Sequence, residues 1–194
     1  MRQAGTPDSA ADATIAEPAR PRCFGRTGRK VSGVATGDIL IHATAVVLPA
    51  PPGMVPAWRG VLLRGPSGAG KSDLALRLID AGGRLVADDQ VCLASEAAAL
   101  FAAAPTALAG RIEVRGLGIV AVPALARARL VLAVDLTERA AVERLPEPTT
   151  VTLGGIVLPL VRLAAFEASA VAKVRLAVAL AAGDSPPAPA GSAT

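Results

Sequence analysis

Residues 59–83, RGVLLRGPSGAGKSDLALRLIDAGG, decide how this chain reads. Gly65, Pro66, Ser67, Gly68, Ala69, Gly70, Lys71 and Ser72 satisfy G-x-x-x-x-G-K-[ST] in full. Before them, 59–65 is a short apolar run with the look of a strand. After them, 72–81 carries Leu74, Ala75 and Leu78 at helical spacing, and Gly82 and Gly83 end the helix. A glycine loop between strand and helix lets backbone N–H groups converge on phosphate oxygens and adds the partial positive charge of a helix N-terminus. In such a loop the Lys71 ammonium bridges β- and γ-phosphates and the Ser72 hydroxyl coordinates Mg²⁺. The stretch predicts a site for a nucleoside triphosphate or another polyphosphate, and by itself leaves the reaction open.

Working outward, ILIHATAVVL (39–48) reads as one strand, followed by a Pro/Gly loop over 49–57. Residues 84–95 read as strand, a break at Asp88-Asp89, then strand. The Ala-rich 96–110, interrupted by Pro105, suits helix or strand, with strand favoured for part of it. A strand, a Gly-permitted turn and a second strand fit 111–122. Residues 129–136 form a continuous apolar run of the buried parallel type. Gly154-Gly155 divides 150–160 into a hairpin, and 163–182 reads as an Ala/Val/Leu helix. The expected fold is α/β: a β-rich P-loop nucleotide-binding domain of mixed sheet and few helices over 37–183. The flanks 1–36 and 184–194 have the Ala/Gly/Pro composition of disordered tails.

Composition narrows the function. At 194 residues and 52% hydrophobic, the chain holds one sizeable core, while 2% aromatics nearly excludes a stacking platform for single-stranded nucleic acid. The net charge of +4 comes mostly from scattered arginines, which suits anionic ligands but makes no nucleic-acid footprint. The cluster Arg20, Arg22, Arg26, Arg29 and Lys30 reads as part of a solvated tail. Cys23 and Cys92, with a single histidine, cannot compose a zinc site, and a reducing cytoplasm is the natural setting. The N-terminal residues build no apolar h-region, so a secretory signal is not expected, and the longest uncharged stretch, 39–58, contains Pro49, Pro51, Pro52 and Pro56, so no membrane partner is expected.

Four places offer acid–base chemistry. Asp88 and Asp89 follow the first β run after the P-loop helix, and a right-handed crossover would return that strand's end to the phosphates. There they could hold Mg²⁺ or take a proton from an acceptor hydroxyl, or equally form a solvated turn. Asp135 ends an apolar run, VLAV, and competes as a metal ligand. Glu113, beside Arg115 and two glycines, could line a site or make a cross-strand ion pair. His42, in an apolar run, could be structural or catalytic.

Taken together, IHATAV, the 59–89 stretch ending in VADD, IEVRGLGIV and VERLP occur in an order that resembles the bacterial HPr kinase/phosphorylase catalytic domain, over about residues 38–163. Ile112, Glu113, Val114, Arg115, Gly116, Leu117, Gly118 and Ile119 look like that family's signature. The resemblance implies an ATP-dependent enzyme that phosphorylates a seryl hydroxyl of HPr, the phosphocarrier of the sugar phosphotransferase system, with reversal by phosphorolysis in many members. Carried over by motif, His42 would be an active-site histidine, Lys71 the P-loop lysine, and Ser72 and Glu113 Mg²⁺ ligands. Asp89, with Asp88 beside it, would accept and return the serine proton, and Arg144 would be the active-site arginine. Asp135 then reverts to a structural reading. The resemblance also implies a homo-oligomer, commonly a hexamer.

Departures from the family pattern are visible. Residues 1–36 cannot supply the separate N-terminal domain of long members, so the likeness is to a short form. LPLVRLAAFEAS (158–169) offers Pro159 and Arg162 but no PGRN run, so the resemblance carries the kinase direction further than phosphorolysis. Pro66 and Asp73 replace more usual Asp and Glu, which is tolerable because backbone amides do most of the phosphate binding. A small-molecule kinase of the nucleotide-kinase type and a non-catalytic nucleotide-binding regulator are the alternative readings.

Overall fold

The structure is a computed structural model and describes residues 39–50 and 57–183. In chain order the elements are β1 (Ile39–His42), β2 (Thr44–Pro49), β3 (Trp58–Arg64), α1 (Lys71–Asp80), β4 (Arg84–Ala87), β5 (Gln90–Glu96), β6 (Ala99–Ala103), β7 (Arg111–Val114), β8 (Gly118–Ala121), β9 (Arg127–Leu136), β10 (Thr149–Leu153), β11 (Ile156–Leu163) and α2 (Ala170–Ala181). Short 3-10 turns lie at Thr106–Leu108 and Arg139–Ala141.

Among the described residues nine strands form one mixed sheet in the order β1-β5-β6-β9-β3-β2-β4, with β11 also pairing β9 and β10 pairing β11. The β7–β8 hairpin stands apart as a two-stranded unit. Strands β3, β9 and β11 run parallel, and β2 lies antiparallel between β3 and β4. β3 and β4 therefore point the same way, with α1 as the crossover between them, and the loop after β3 and the turn after β4 meet at one edge.

Alternation along the strands builds both faces of the core. In β3, Val61 and Leu63 join one apolar cluster and Leu62 the other; in β2, Val46 and Leu48 are divided from Ala45 and Val47 in the same way. The sheet is thus buried on two sides, which explains why these strands read as unbroken apolar runs. On the first face lie the inward stripe of α1 (Leu74, Ala75, Leu78) and that of α2 (Ala170, Val174, Val178). Burial of Leu74 and Leu78 contributes about 1.5–3 kcal/mol each and fixes the N-terminus of α1 over the end of β3.

The expected mixed, β-rich α/β architecture is present, with local differences. Residues 39–48 are two strands, because the chain changes partners at Ala43: β1 pairs β5, whereas β2 pairs β3 and β4. Strand structure does occupy part of 96–110, as β6, joined to β5 by a turn in which Ala97 and Ala98 take positive φ. The helix expected over 163–182 starts only at Ala170. Pairing with β9 in the register Leu160↔Ala133 to Leu163↔Leu136 holds the preceding residues in β11, and 164–169 form a connecting turn. β9 is parallel to β3 and β11 but antiparallel to β6. The two tails and most of the 49–57 loop lie outside the described residues.

Candidate active site

The phosphate loop runs from the end of β3 to Gly70, the N-cap of α1, whose φ of 88° is left-handed. No side chain caps this helix end, and the first intrahelical bond is Leu74 N–H to Gly70 O at 2.9 Å, so the amides before Leu74 have no partner within the helix. That is the donor array an anion requires. Lys71 is 6% exposed and donates from Nζ to the carbonyls of Gly65 and Pro66, both at 2.9 Å. Burial pushes its ammonium below the ordinary lysine range, opposed by the negative charge of Asp88 and Asp89.

Asp88 lies at the centre of the site. Its carboxylate is 5% exposed and accepts three hydrogen bonds: at Oδ1 from Thr44 Oγ (2.7 Å) and Ser72 Oγ (2.9 Å), and at Oδ2 from the backbone N–H of Glu113 (3.1 Å). A buried carboxylate needs such partners. These three donors tie β2, α1 and the β7–β8 hairpin to the end of β4. Sequence reasoning missed Thr44; its only signal was a single hydroxyl in an otherwise apolar run.

Asp89 points elsewhere. Gln90 N–H closes a tight turn onto Asp88 O at 2.7 Å with Asp89 at its apex, at φ 65°. Left-handed backbone on a residue other than glycine costs about 1–3 kcal/mol and persists where the surroundings hold it. Here it separates adjacent acids, with Asp88 inside and Asp89 in solvent beside His42. His42 Nδ1 lies 3.0 Å from both the backbone O and Oδ1 of Asp89. Both neighbours are acceptors, so Nδ1 carries a proton toward Asp89.

The remaining candidates divide. Asp135 is held by Arg64 (Nε to Oδ1, 2.9 Å) across the β3–β9 register, in keeping with a structural role. Glu113 contributes its backbone to Asp88, while its side chain is exposed on β7 opposite Ile119. Ile112 is buried; Arg115, Gly116, Leu117, Gly118 and Ile119 form the exposed end of the hairpin, with Val114 half-buried. Arg144 lies in the exposed segment before β10, and no hydrogen bond or ion pair among the described residues joins it to the Asp88 cluster. No group of three His, Cys, Asp or Glu among the described residues could hold a metal alone, and no helix there is long and apolar enough to cross a membrane.

A Gly-rich loop after an interior strand of a mixed sheet, with an acid-bearing turn beside it, defines an α/β domain of mixed sheet. Residues 57–174 match the family described as HPr Serine kinase C-terminal domain, and the chain belongs to that family. It is 50% identical over 66 residues to the HPr kinase/phosphorylases of Clostridium tetani and Clostridium acetobutylicum, covering 34% of this chain and 22% of each relative. The chain thus spans about a fifth of the length of the relatives it matches. A solved structure, the Hpr(Ser) kinase/phosphatase from Coxiella burnetii, superposes with a TM-score of 0.59 at 27% identity, covering 72% of this chain and 97% of that one.

Proposed function

We propose that this chain is an ATP-dependent serine protein kinase acting on HPr or an HPr-like phosphocarrier. The observation that carries the reading is the division of labour on one turn. Asp88 is buried against the P-loop serine, and Asp89 is presented to solvent against a histidine, 3.0 Å from its Nδ1.

In this reading the loop amides and Lys71 bind the β- and γ-phosphates. A seryl hydroxyl approaching from solvent meets the Asp89 carboxylate, which takes its proton as the serine oxygen bonds to the γ-phosphorus. The bond from γ-phosphorus to the β–γ bridging oxygen breaks, and ADP leaves with that electron pair. His42, donating through Nδ1, orients the Asp89 carboxylate. Mg²⁺ suits the donor set, since Ser72 and Asp88 present hard oxygens 2.9 Å apart, as this ion prefers beside phosphate. Ser72 with Asp88 or Glu113 would hold it, and when bound it neutralises charge on the phosphate oxygens. Arg144 would assist as an added cation if substrate or a second copy brings it in; family likeness supports a homo-oligomer, commonly a hexamer, working in the cytoplasm. The chain offers Pro159 and Arg162 but no PGRN run, which favours the kinase direction over reverse phosphorolysis.

The test incubates the full chain with labelled ATP, Mg²⁺ and HPr from the same organism, with Asp89→Asn as control. Label on an HPr serine with wild type, and none with the variant although it still binds ATP, is the expected result. ATP binding without transfer to HPr by the wild type would overturn the kinase assignment in favour of a nucleotide-binding regulator or a small-molecule kinase. Added phosphate releasing the label as pyrophosphate would establish the reverse reaction.

A further inference from the structure

Strands β3, β9 and β11 are parallel neighbours, so their C-terminal ends bring 65–69, 136–139 and 164–169 to one edge of the sheet. A cavity of about 840 Å³ opens among these three segments. It lies on the β9 side of the phosphate loop, whereas Asp88 and Asp89 follow β4 on the β2 side. Carboxyl ends of parallel strands are where open α/β sheets bind ligands, and the volume falls within the usual range of about 300–1,000 Å³ for small-molecule sites.

Phe166 lines this cavity. Its ring rests against the N-cap of α1 so closely that a Cβ built on Gly70 would lie 2.9 Å from Cζ, yet the residue is 73% exposed. The turn that carries it is fastened from both sides. Arg77 of α1 donates to Ala165 O, and Glu167 accepts from Lys173 of α2, with Arg139 Nε 3.4 Å away. The two other aromatics among the described residues have Arg side chains over their rings, Arg84 on Trp58 and Arg127 on Phe101. Phe166 is the one placed beside the phosphate loop and open to a cavity.

We propose that this cleft takes the nucleoside of the nucleoside triphosphate, with the base stacked on Phe166; the inference rests on the kinase reading of the loop. A γ-phosphate at the Asp88–Asp89 turn leaves the α-phosphate and nucleoside to emerge on the opposite side of the loop, where the cavity lies. Recognition is by the flat apolar face of a heterocycle, and inorganic polyphosphate has none.

The test is calorimetric titration of the full chain with ATP and, separately, with inorganic tripolyphosphate, both with Mg²⁺, for wild type, Phe166→Ala and Phe166→Trp. Loss of base stacking weakens ATP binding by roughly tenfold or more in Phe166→Ala and leaves tripolyphosphate binding unchanged. Phe166→Trp retains ATP affinity, and its added indole fluorescence is quenched by ATP but not by tripolyphosphate. Unchanged ATP affinity in Phe166→Ala, equal weakening of both ligands, or wild type binding tripolyphosphate as tightly as ATP would each overturn the nucleoside cleft alone. Wild type binding neither ligand would overturn the phosphate-loop reading, and the cleft with it.

Discussion

Replacement of Thr44 by valine tests whether the buried Asp88 carboxylate organises the site. Valine matches threonine in shape, so the fully buried position keeps its packing and loses only the hydroxyl that donates to Asp88 Oδ1 at 2.7 Å. A hydrogen bond to a charged group contributes about 1.5–3 kcal/mol, and this one has the length of a charge-assisted O–H···O bond. Ser72 and the Glu113 amide remain on the carboxylate, so the expected loss is about 2 kcal/mol, within that range. With a urea slope of roughly 1–3 kcal/mol per molar, the unfolding midpoint should fall by about 1 M at unchanged slope, read by far-ultraviolet circular dichroism. Because Ser72 donates to the same oxygen, Thr44→Val and Ser72→Ala should be non-additive by about 0.5–3 kcal/mol in a double-mutant cycle. A loss below about 0.5 kcal/mol, the scale of ordinary surface substitutions, or strict additivity, would refute this account of Asp88.

Two further outcomes are expected. Leu78→Ala, in the fully buried stripe of α1, should cost about 2–5 kcal/mol by urea denaturation, and Leu76→Ala, on the partly exposed flank, clearly less; equal losses would contradict the packing described. Glu167 is held below the ordinary carboxylate range, first by its hydrogen bond from Lys173 and then by the charges of Lys173 and Arg139, against the opposing effect of desolvation. Its contribution to stability is therefore present above the unfolded carboxyl value and lost as pH falls through the lower folded value. Lys173→Met should raise the Glu167 titration midpoint in a carboxyl-carbon NMR experiment, and an unmoved midpoint would show that the pair does not persist in solution.

The legible parts of the fold were those specified by local chemistry. The Gly-rich loop, the helix after it and the break at Asp88-Asp89 depend on neighbours within a few residues, and the structure has them where the pattern implies. The β5–β6 turn escaped notice because Ala97 and Ala98 occupy positive-φ positions where Asn or Gly would have signalled a hairpin. The start of α2 was misread because Leu, Val and Ala serve helix and strand alike; partnership with β9 keeps 156–163 extended. Division of 39–48 into β1 and β2 likewise follows from different partners on either side of Ala43.

For the site, the sequence by itself singled out the Gly-rich loop, its lysine and serine, and a set of acids as candidates, because each is a residue type at a fixed spacing. It could not separate Asp88 from Asp89, find Thr44, name Arg64 as the partner of Asp135, or place Phe166 beside Gly70. Those assignments join residues as much as 96 positions apart. They depend on strand order, on register and on one left-handed residue that turns neighbouring carboxylates in opposite directions. Only the packed sheet brings these groups within hydrogen-bonding reach, where distance and burial decide what each carboxylate does.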